Sequence, residues 1–444
     1  MSTTNPAAVK LMSIGERISA LSQLPVLPEE NWRRTDPADF FAPADDVLNS
    51  FGQAVIGSHL AASPYKIQFR TLSVQDMMKA VTRVLGLANA QENEIPEVDE
   101  KRLVLLELNN GGLSVLSCAA ADSWVGRLEI ASRPARPDAV MRESAIAAAL
   151  AERLQVCAPS ELVIRIPKFE HVSVVLVGVE TDSAFSQSYA NVTVDVADDA
   201  AAEIAVMHGS CAYAHHRLTL RVGRNARLSQ FWSQFAKDSS QESRILLERK
   251  VKLGSHAYFA DASVFVPSGT LRVISNIVAE AEGSQAQCGA AVIASGNAVV
   301  DYEPLQDHLT PRSQSHLRAK MIAGQRGKAI FQGLINVERE AGGTSASQIN
   351  KNLVLSKRAR IDAMPRLRIL PDEVSCKHGS ATGEIDSKQM YYLQTRGFSE
   401  QQAREQIVGG FILDGLAQLP EESHLQSWAG ALLTQGLSRV LRQS

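Results

Sequence analysis

The residue types and spacing most able to do chemistry lie together at Cys376-Lys377-His378-Gly379. The residues before them alternate as a strand does: Leu367 and Ile369, a turn at Pro371-Asp372, then Val374 and Cys376. In a strand, residues two apart share a face and lie about 7 Å apart, so Cys376 and His378 offer a thiol and an imidazole to one point while Lys377 points away. Iron and zinc take about four ligands, so a working site here needs residues from elsewhere, most simply from a second chain. Lys377, on the other face, lowers the thiol pKa only modestly. Residue types alone favour a plainer reading, a buried cysteine beside a structural histidine.

Other candidates carry less. The run from His208 through Cys211 to His215-His216 matches no zinc spacing, and in a strand His215 and His216 face opposite ways, which favours packing roles. His256, His308 and His316 are scattered, and Asp301-Tyr302-Glu303-Pro304 with Asp307 reads as a solvated acidic loop. The five cysteines, Cys118, Cys157, Cys211, Cys288 and Cys376, show no CxxC pair, which argues against a disulfide framework or a self-contained metal site. No nucleophile elbow, phosphate loop, dinucleotide fingerprint or HExxH motif is present.

The elements that must hold Cys376 and His378 can be read outward from them. A chain of 444 residues exceeds one hydrophobic core, and three regions are expected: a mainly helical one over 1–160 with a hairpin at Leu103–Leu108 and Leu113–Leu116, a strand-rich one over 161–380, and a helical one over 381–444. A net charge of −3, from 45 basic and 48 acidic side chains, gives no global field toward nucleic acid or an anionic membrane. No run approaches the eighteen or so apolar residues of a membrane span, so a cytoplasmic, soluble protein is expected.

In the middle region short β-branched segments are divided by Gly, Asn, Asp and Ser. A polar or glycine turn followed by alanine recurs at Ala200, Ala226, Ala257, Ala286, Ala329 and Ala359, with a further turn at Ala298. Recurrence at roughly thirty residues with small residues at corners suits a β-solenoid, whose coils bury their inner faces only against one another. After Gly379 the pattern turns helical. Asp386 and Ser399 can each cap a helix, with Gln389 and Gln402 three residues on, and Arg396-Gly397 can end the first. A last helix is expected from Pro420, with Leu425, Trp428, Leu432, Leu433, Leu437 and Val440 on one face.

The run Asn350-Lys351-Asn352-Leu353-Val354-Leu355-Ser356, then Pro365, then Cys376-Lys377-His378-Gly379, then Tyr391-Tyr392-Leu393-Gln394-Thr395-Arg396-Gly397-Phe398 resembles the SufB/SufD family of the SUF iron–sulfur cluster scaffold. The His-Gly form and the chain length are closer to the D branch than to the B branch, although Ser380-Ala381-Thr382-Gly383 departs from the usual continuation. The resemblance implies a right-handed parallel β-helix flanked by helical domains, acting as a non-enzymatic scaffold. It implies pairing with a SufB-like subunit through the β-helix, with a homodimer as a variant. A SufC-like ABC ATPase, which alone holds ATP, would dock on the helices near 386–411, where Tyr391, Tyr392, Arg396, Phe398 and Phe411 are the candidate contacts. It implies no stably bound cofactor, only a transient iron–sulfur cluster shared with SufB at His378, with Cys376 beside it. A carbohydrate-active β-helix, or a hydrolase with metal held by His208, Cys211 and His215, are the alternatives from other classes.

Overall fold

The chain turns a corner wherever the alanine repeat falls. At Asp199 the backbone adopts φ 61°, and the Ala200 N–H donates to the Ala197 carbonyl at 3.3 Å. The same turn recurs with Asn225 at φ 54° before Ala226 and His256 at φ 55° before Ala257. Left-handed backbone is costly for most residues and cheaper for Asn and Asp. The residue that follows faces the interior where little more than a methyl fits, and Ala200, Ala226 and Ala257 are buried there; Ala298 is buried just ahead of its strand, whereas Ala286 and Ala329 are buried one residue inside theirs, with Ser284 and Gly327 at the corners. Ala359, on the last coil, is only partly covered.

The computed structural model describes residues 243–416 without interruption, most of 160–236, most of 418–442, and the strands Lys66–Leu72, Leu103–Asn109, Gly112–Cys118 and Glu129–Pro134 with a few isolated residues near them. From Ser160–Ile166 onward the chain passes back and forth between two sheets of 11 strands each, forming a parallel β-solenoid of about seven turns. In the first sheet Arg227 registers with Ala201 on one side and Tyr258 on the other, and Tyr258 with Gln285, so one coil takes about thirty residues. The expected hairpin is present as Leu103–Asn109 antiparallel to Gly112–Cys118, and it joins the first sheet beside His171–Val179. Most of the region expected to be mainly helical, 1–160, lies outside the described residues.

Inward-facing side chains stack coil on coil. Trp232, Phe265, Tyr302 and Phe331 form a ladder with ring centroids 5.2, 5.9 and 6.1 Å apart, within the range of favourable aromatic contact. Among the described residues three helices follow the solenoid: α1 (Ser387–Thr395), α2 (Glu400–Leu413) and α3 (Leu425–Arg442), with a 3₁₀ turn at Asp414–Leu416. Helix α3 begins at Leu425, not at Pro420; the Ser423 hydroxyl accepts from the Leu425 N–H at 3.2 Å, a capping bond that proline has no side chain to make. Its stripe of Leu425, Trp428, Leu432, Leu433 and Val440 is buried against the outer face of the first sheet.

Candidate functional site

Among the described residues Ser375–Gly383 is the last strand of the first sheet and pairs only with Ser345–Val354. Its other edge carries free backbone donors and acceptors, an arrangement that invites pairing with another chain. Register fixes the faces. Cys376 pairs with Ala346 and His378 with Gln348, both buried inner positions, whereas Lys377 pairs with Ser347 on the outside. The shared face expected for Cys376 and His378 is therefore present.

The two side chains meet different surroundings. Cys376 is half-buried against Ile335, Val337, Ala346, Ile369 and Val374. Burial pushes its thiol up, against a smaller opposing effect of a backbone hydrogen bond with Ala346, so at neutral pH it rests as the thiol. His378 is exposed. With His316, Ser347, Lys351 and Lys377 it lines a groove of about 590 Å³ along the last strands. Leu367 and Leu370, on the final coil, are also exposed, at 38% and 41%.

The helical segment presents a second surface. The Asp386 carboxylate caps α1 through the Lys388 N–H at 2.8 Å, and the predicted Ser399–Gln402 capping box opens α2. Between them Gly397, at φ 95°, closes α1; its N–H reaches the Gln394 carbonyl, and that of Phe398 reaches Leu393, as in a Schellman motif. No residue of α1 is buried. Tyr391 and Tyr392 are 70% and 57% exposed, Phe398 is exposed, and Arg396 lies over the Tyr392 ring at 5.2 Å. Phe411 differs: it is half-buried, with Lys320 Nζ 4.5 Å from its ring centre, on the side of α2 that meets the solenoid.

His208, His215, His216, Asp301, Glu303 and Asp307 are buried in the fold. His208 and His216, not His215, come together, their Nδ1 atoms 3.0 Å apart, with Trp232 Nε1 donating to His208 Nε2 at 2.8 Å. His215 turns elsewhere, to Glu248 at 2.7 Å. Burial favours the neutral acid of Glu248, but the Arg217 charge and the His215 hydrogen bond outweigh it and hold the carboxyl at about 2. His208 and His215 thus do not share a site, and Cys211 lies outside the described residues. Among the described residues there is no cluster of three or more His, Cys, Asp or Glu able to hold a metal. The expected acidic loop is instead a buried strand, Val299–His308, in which Asp301 and Glu303 are fully buried and paired with Arg272. Sequence offered no sign of this because the cation sits one coil earlier. No helix among the described residues is long and apolar enough to cross a membrane.

Comparison with known proteins converges on this region. Residues 177–411 match the family described as SUF system FeS cluster assembly, SufBD core domain. The chain is 28% identical over 259 residues to the iron-sulfur cluster assembly protein SufD of Escherichia coli, covering 57% of this chain and 59% of that protein. An iron-sulfur cluster assembly SufBD family protein of Synechocystis is 27% identical over 199 residues, covering 45% of this chain and 43% of that one. The iron-sulfur cluster assembly protein SufB of Bacillus subtilis is 33% identical over 115 residues, 26% of this chain and 25% of its own. The matched segments span about half the length of the first two of these relatives or somewhat more.

Proposed function

This chain belongs to the SufB/SufD family of iron–sulfur cluster assembly proteins, and from that premise we propose that it is a SufD-type, non-catalytic scaffold subunit whose last solenoid strand pairs with a SufB-like partner. The observation that carries this reading is the free edge of Ser375–Gly383, with His378 exposed on it inside the family-matched region. Pairing would satisfy the open ladder and cover Leu367 and Leu370. Iron and sulfide are substrates here. His378 supplies one ring-nitrogen ligand and the partner edge supplies the rest of a four-ligand set. Cys376, held as a thiol among aliphatic side chains, serves as a reserve ligand that ionises only if its surroundings change.

The exposed face of α1, with Tyr391 and Tyr392, is the proposed docking surface for a SufC-like ATPase. Movement there has a mechanical route to His378. Asp414, at the end of α2, is ion-paired to Arg318 and Lys320 of the Gln314–Ala323 strand, which pairs with Ser345–Val354, which pairs in turn with the His378 strand. ATP-driven closure of docked ATPases would thus strain the paired edge and open it to substrate.

The test is co-expression with SufB-like and SufC-like subunits, wild type against His378→Ala, followed by size exclusion and anaerobic iron and sulfide analysis. Assembly retained with cluster content lost is the expected result. Unchanged cluster content would reduce His378 to a structural residue, and failure of any complex to form would refute the pairing.

A further inference from the structure

The inner face of the first sheet changes character at a single strand. Gln314–Ala323 presents Leu317, Ala319 and Met321 inward, all buried, and in register with them the next strand presents Gln348, Asn350 and Asn352. Three aliphatic positions become three amides one rung before the free edge, where the same rows continue as His378, Ser380 and Thr382.

Asn350 and Asn352 have employment in the free chain. Asn352 Nδ2 donates to Asn350 Oδ1 at 2.7 Å and to Thr382 Oγ1 at 3.1 Å, and the Ser380 hydroxyl donates to Asn350 Oδ1 at 3.2 Å. Gln348 does not. Its side chain is fully buried, and neither its amide oxygen nor its amide nitrogen has a hydrogen-bond partner among the described residues. Burying such groups unpaired is costly and uncommon in folded proteins.

Space has nonetheless been kept for this amide. Gly333 sits across the interior, and a Cβ there would lie 2.3 Å from Gln348 Nε2 and 2.5 Å from Oε1. Gly333 is not among the glycines with positive φ, so its missing side chain provides room rather than backbone freedom. A cleared cradle holding an unpaired amide, at the position in register with His378 one strand in from the free edge, is an acceptor waiting for a donor. Register places the Gln348 and His378 backbones on adjacent strands about 4.8 Å apart, with both side chains on the inner face.

We infer that Gln348 is a positioning residue for His378: its side-chain oxygen accepts the ring N–H of His378 when the other ring nitrogen binds iron. A ligating histidine nearly always donates its second N–H, which fixes the tautomer and raises ligand basicity. A neutral amide does this without adding charge to a site that must both take up and release its cargo. The inference rests on the assignment of His378 as an iron ligand in the assembled complex.

The decisive experiment is anaerobic titration of the assembled complex with Fe(II) alone, comparing wild type, Gln348→Leu, Gln348→Glu and His378→Ala, with thermal midpoints measured in parallel. Gln348→Leu should weaken Fe(II) binding about tenfold to a hundredfold without lowering the thermal midpoint, since it replaces an unpaired amide by an aliphatic group. Gln348→Glu keeps an acceptor oxygen and should retain most of the affinity, which a merely space-filling role would not require. If Gln348→Leu binds Fe(II) as wild type does while His378→Ala does not, the inference is overturned and the His378 assignment stands. If His378→Ala also binds normally, that assignment fails and the inference falls with it.

Discussion

The Asp414 carboxylate closes a 2.8 Å ion pair with Lys320, whose side chain is only 6% exposed. Arg318 reaches the same carboxylate at 3.0 Å, so one residue at the end of α2 fastens the helical segment to the first sheet two strands from its free edge. The Lys320 hydrogen bond, followed by its charge and that of Arg318, holds the Asp414 carboxyl below its ordinary range despite partial burial. The pair contributes stability above the unfolded carboxylate pKa and loses it as pH falls through the lower folded value. Asp414→Ala strands the Lys320 ammonium, at a cost of about 1–2 kcal/mol. Urea unfolding at pH 7 measures this directly. In the assembled complex the same variant is expected to bind partners but to lose any ATP-dependent change in Cys376 alkylation; an unchanged ATP response would rule out the proposed route.

Tyr391 and Tyr392 project from a helix that buries nothing. Replacing both by Ala should leave the unfolding midpoint within about 0.5 kcal/mol of wild type. If α1 docks an ATPase, such aromatic anchors each contribute about 1–2 kcal/mol, and the double variant should raise Kd roughly a hundredfold. Calorimetric titration with the ATPase subunit decides it; unchanged affinity would move the docking surface elsewhere.

What was legible in the sequence followed from local chemistry. Small residues at or just past the corners declared the solenoid because each corner leaves little room, and the Ser399–Gln402 box declared α2 because capping is local. Partners one coil away were not legible: His215 and Glu248 are 33 residues apart, and Arg272 and Asp301 are 29 apart. Gln314–Ala323 hides for a related reason. Its Gln, His, Arg and Lys read as surface, yet Lys320 is buried because Asp414, far along the chain, answers it. Gln348 carried no sequence sign either, since an unpaired amide is defined by what surrounds it.

The His208–His216 pair makes one end of the solenoid acid-sensitive. Trp232 can only donate, so His208 accepts at Nε2 and carries its proton on Nδ1; His216 then accepts at Nδ1 and donates from Nε2 to Ser188 Oγ at 2.8 Å. This arrangement requires both rings neutral. Burial pushes His208 down to about 3, and burial followed by the charges of His208 and His215 pushes His216 well below the ordinary value. With unfolded values near 6.5, the unfolded chain binds more protons below that pH, so stability is full above about 6.5 and falls as pH drops toward the folded values. Each histidine should cost about 2 kcal/mol between pH 6.5 and pH 5. Urea midpoints over pH 5–8 should show this slope, and His216→Phe should flatten it; a slope unchanged in the variant would assign acid lability to other groups.

Arg249 and Asp261 form a two-pronged pair inside the coil, at 2.6 and 3.0 Å, with both side chains essentially unexposed. The guanidinium also bonds Ser275 and Gln230 and lies 4.4 Å from the Trp232 ring centre. Burial alone would lower its pKa, but Asp261 more than offsets this, so the arginine stays charged. Desolvating two ions nearly cancels their attraction, and the pair as a whole adds little net stability. The single variants should therefore be far worse than the double. Asp261→Ala leaves a buried, uncompensated cation and should cost about 3–5 kcal/mol, whereas Arg249→Met with Asp261→Leu should be close to neutral. Double-mutant unfolding cycles separate these cases, and equal, additive losses would mean that the two charges are not coupled in the folded chain.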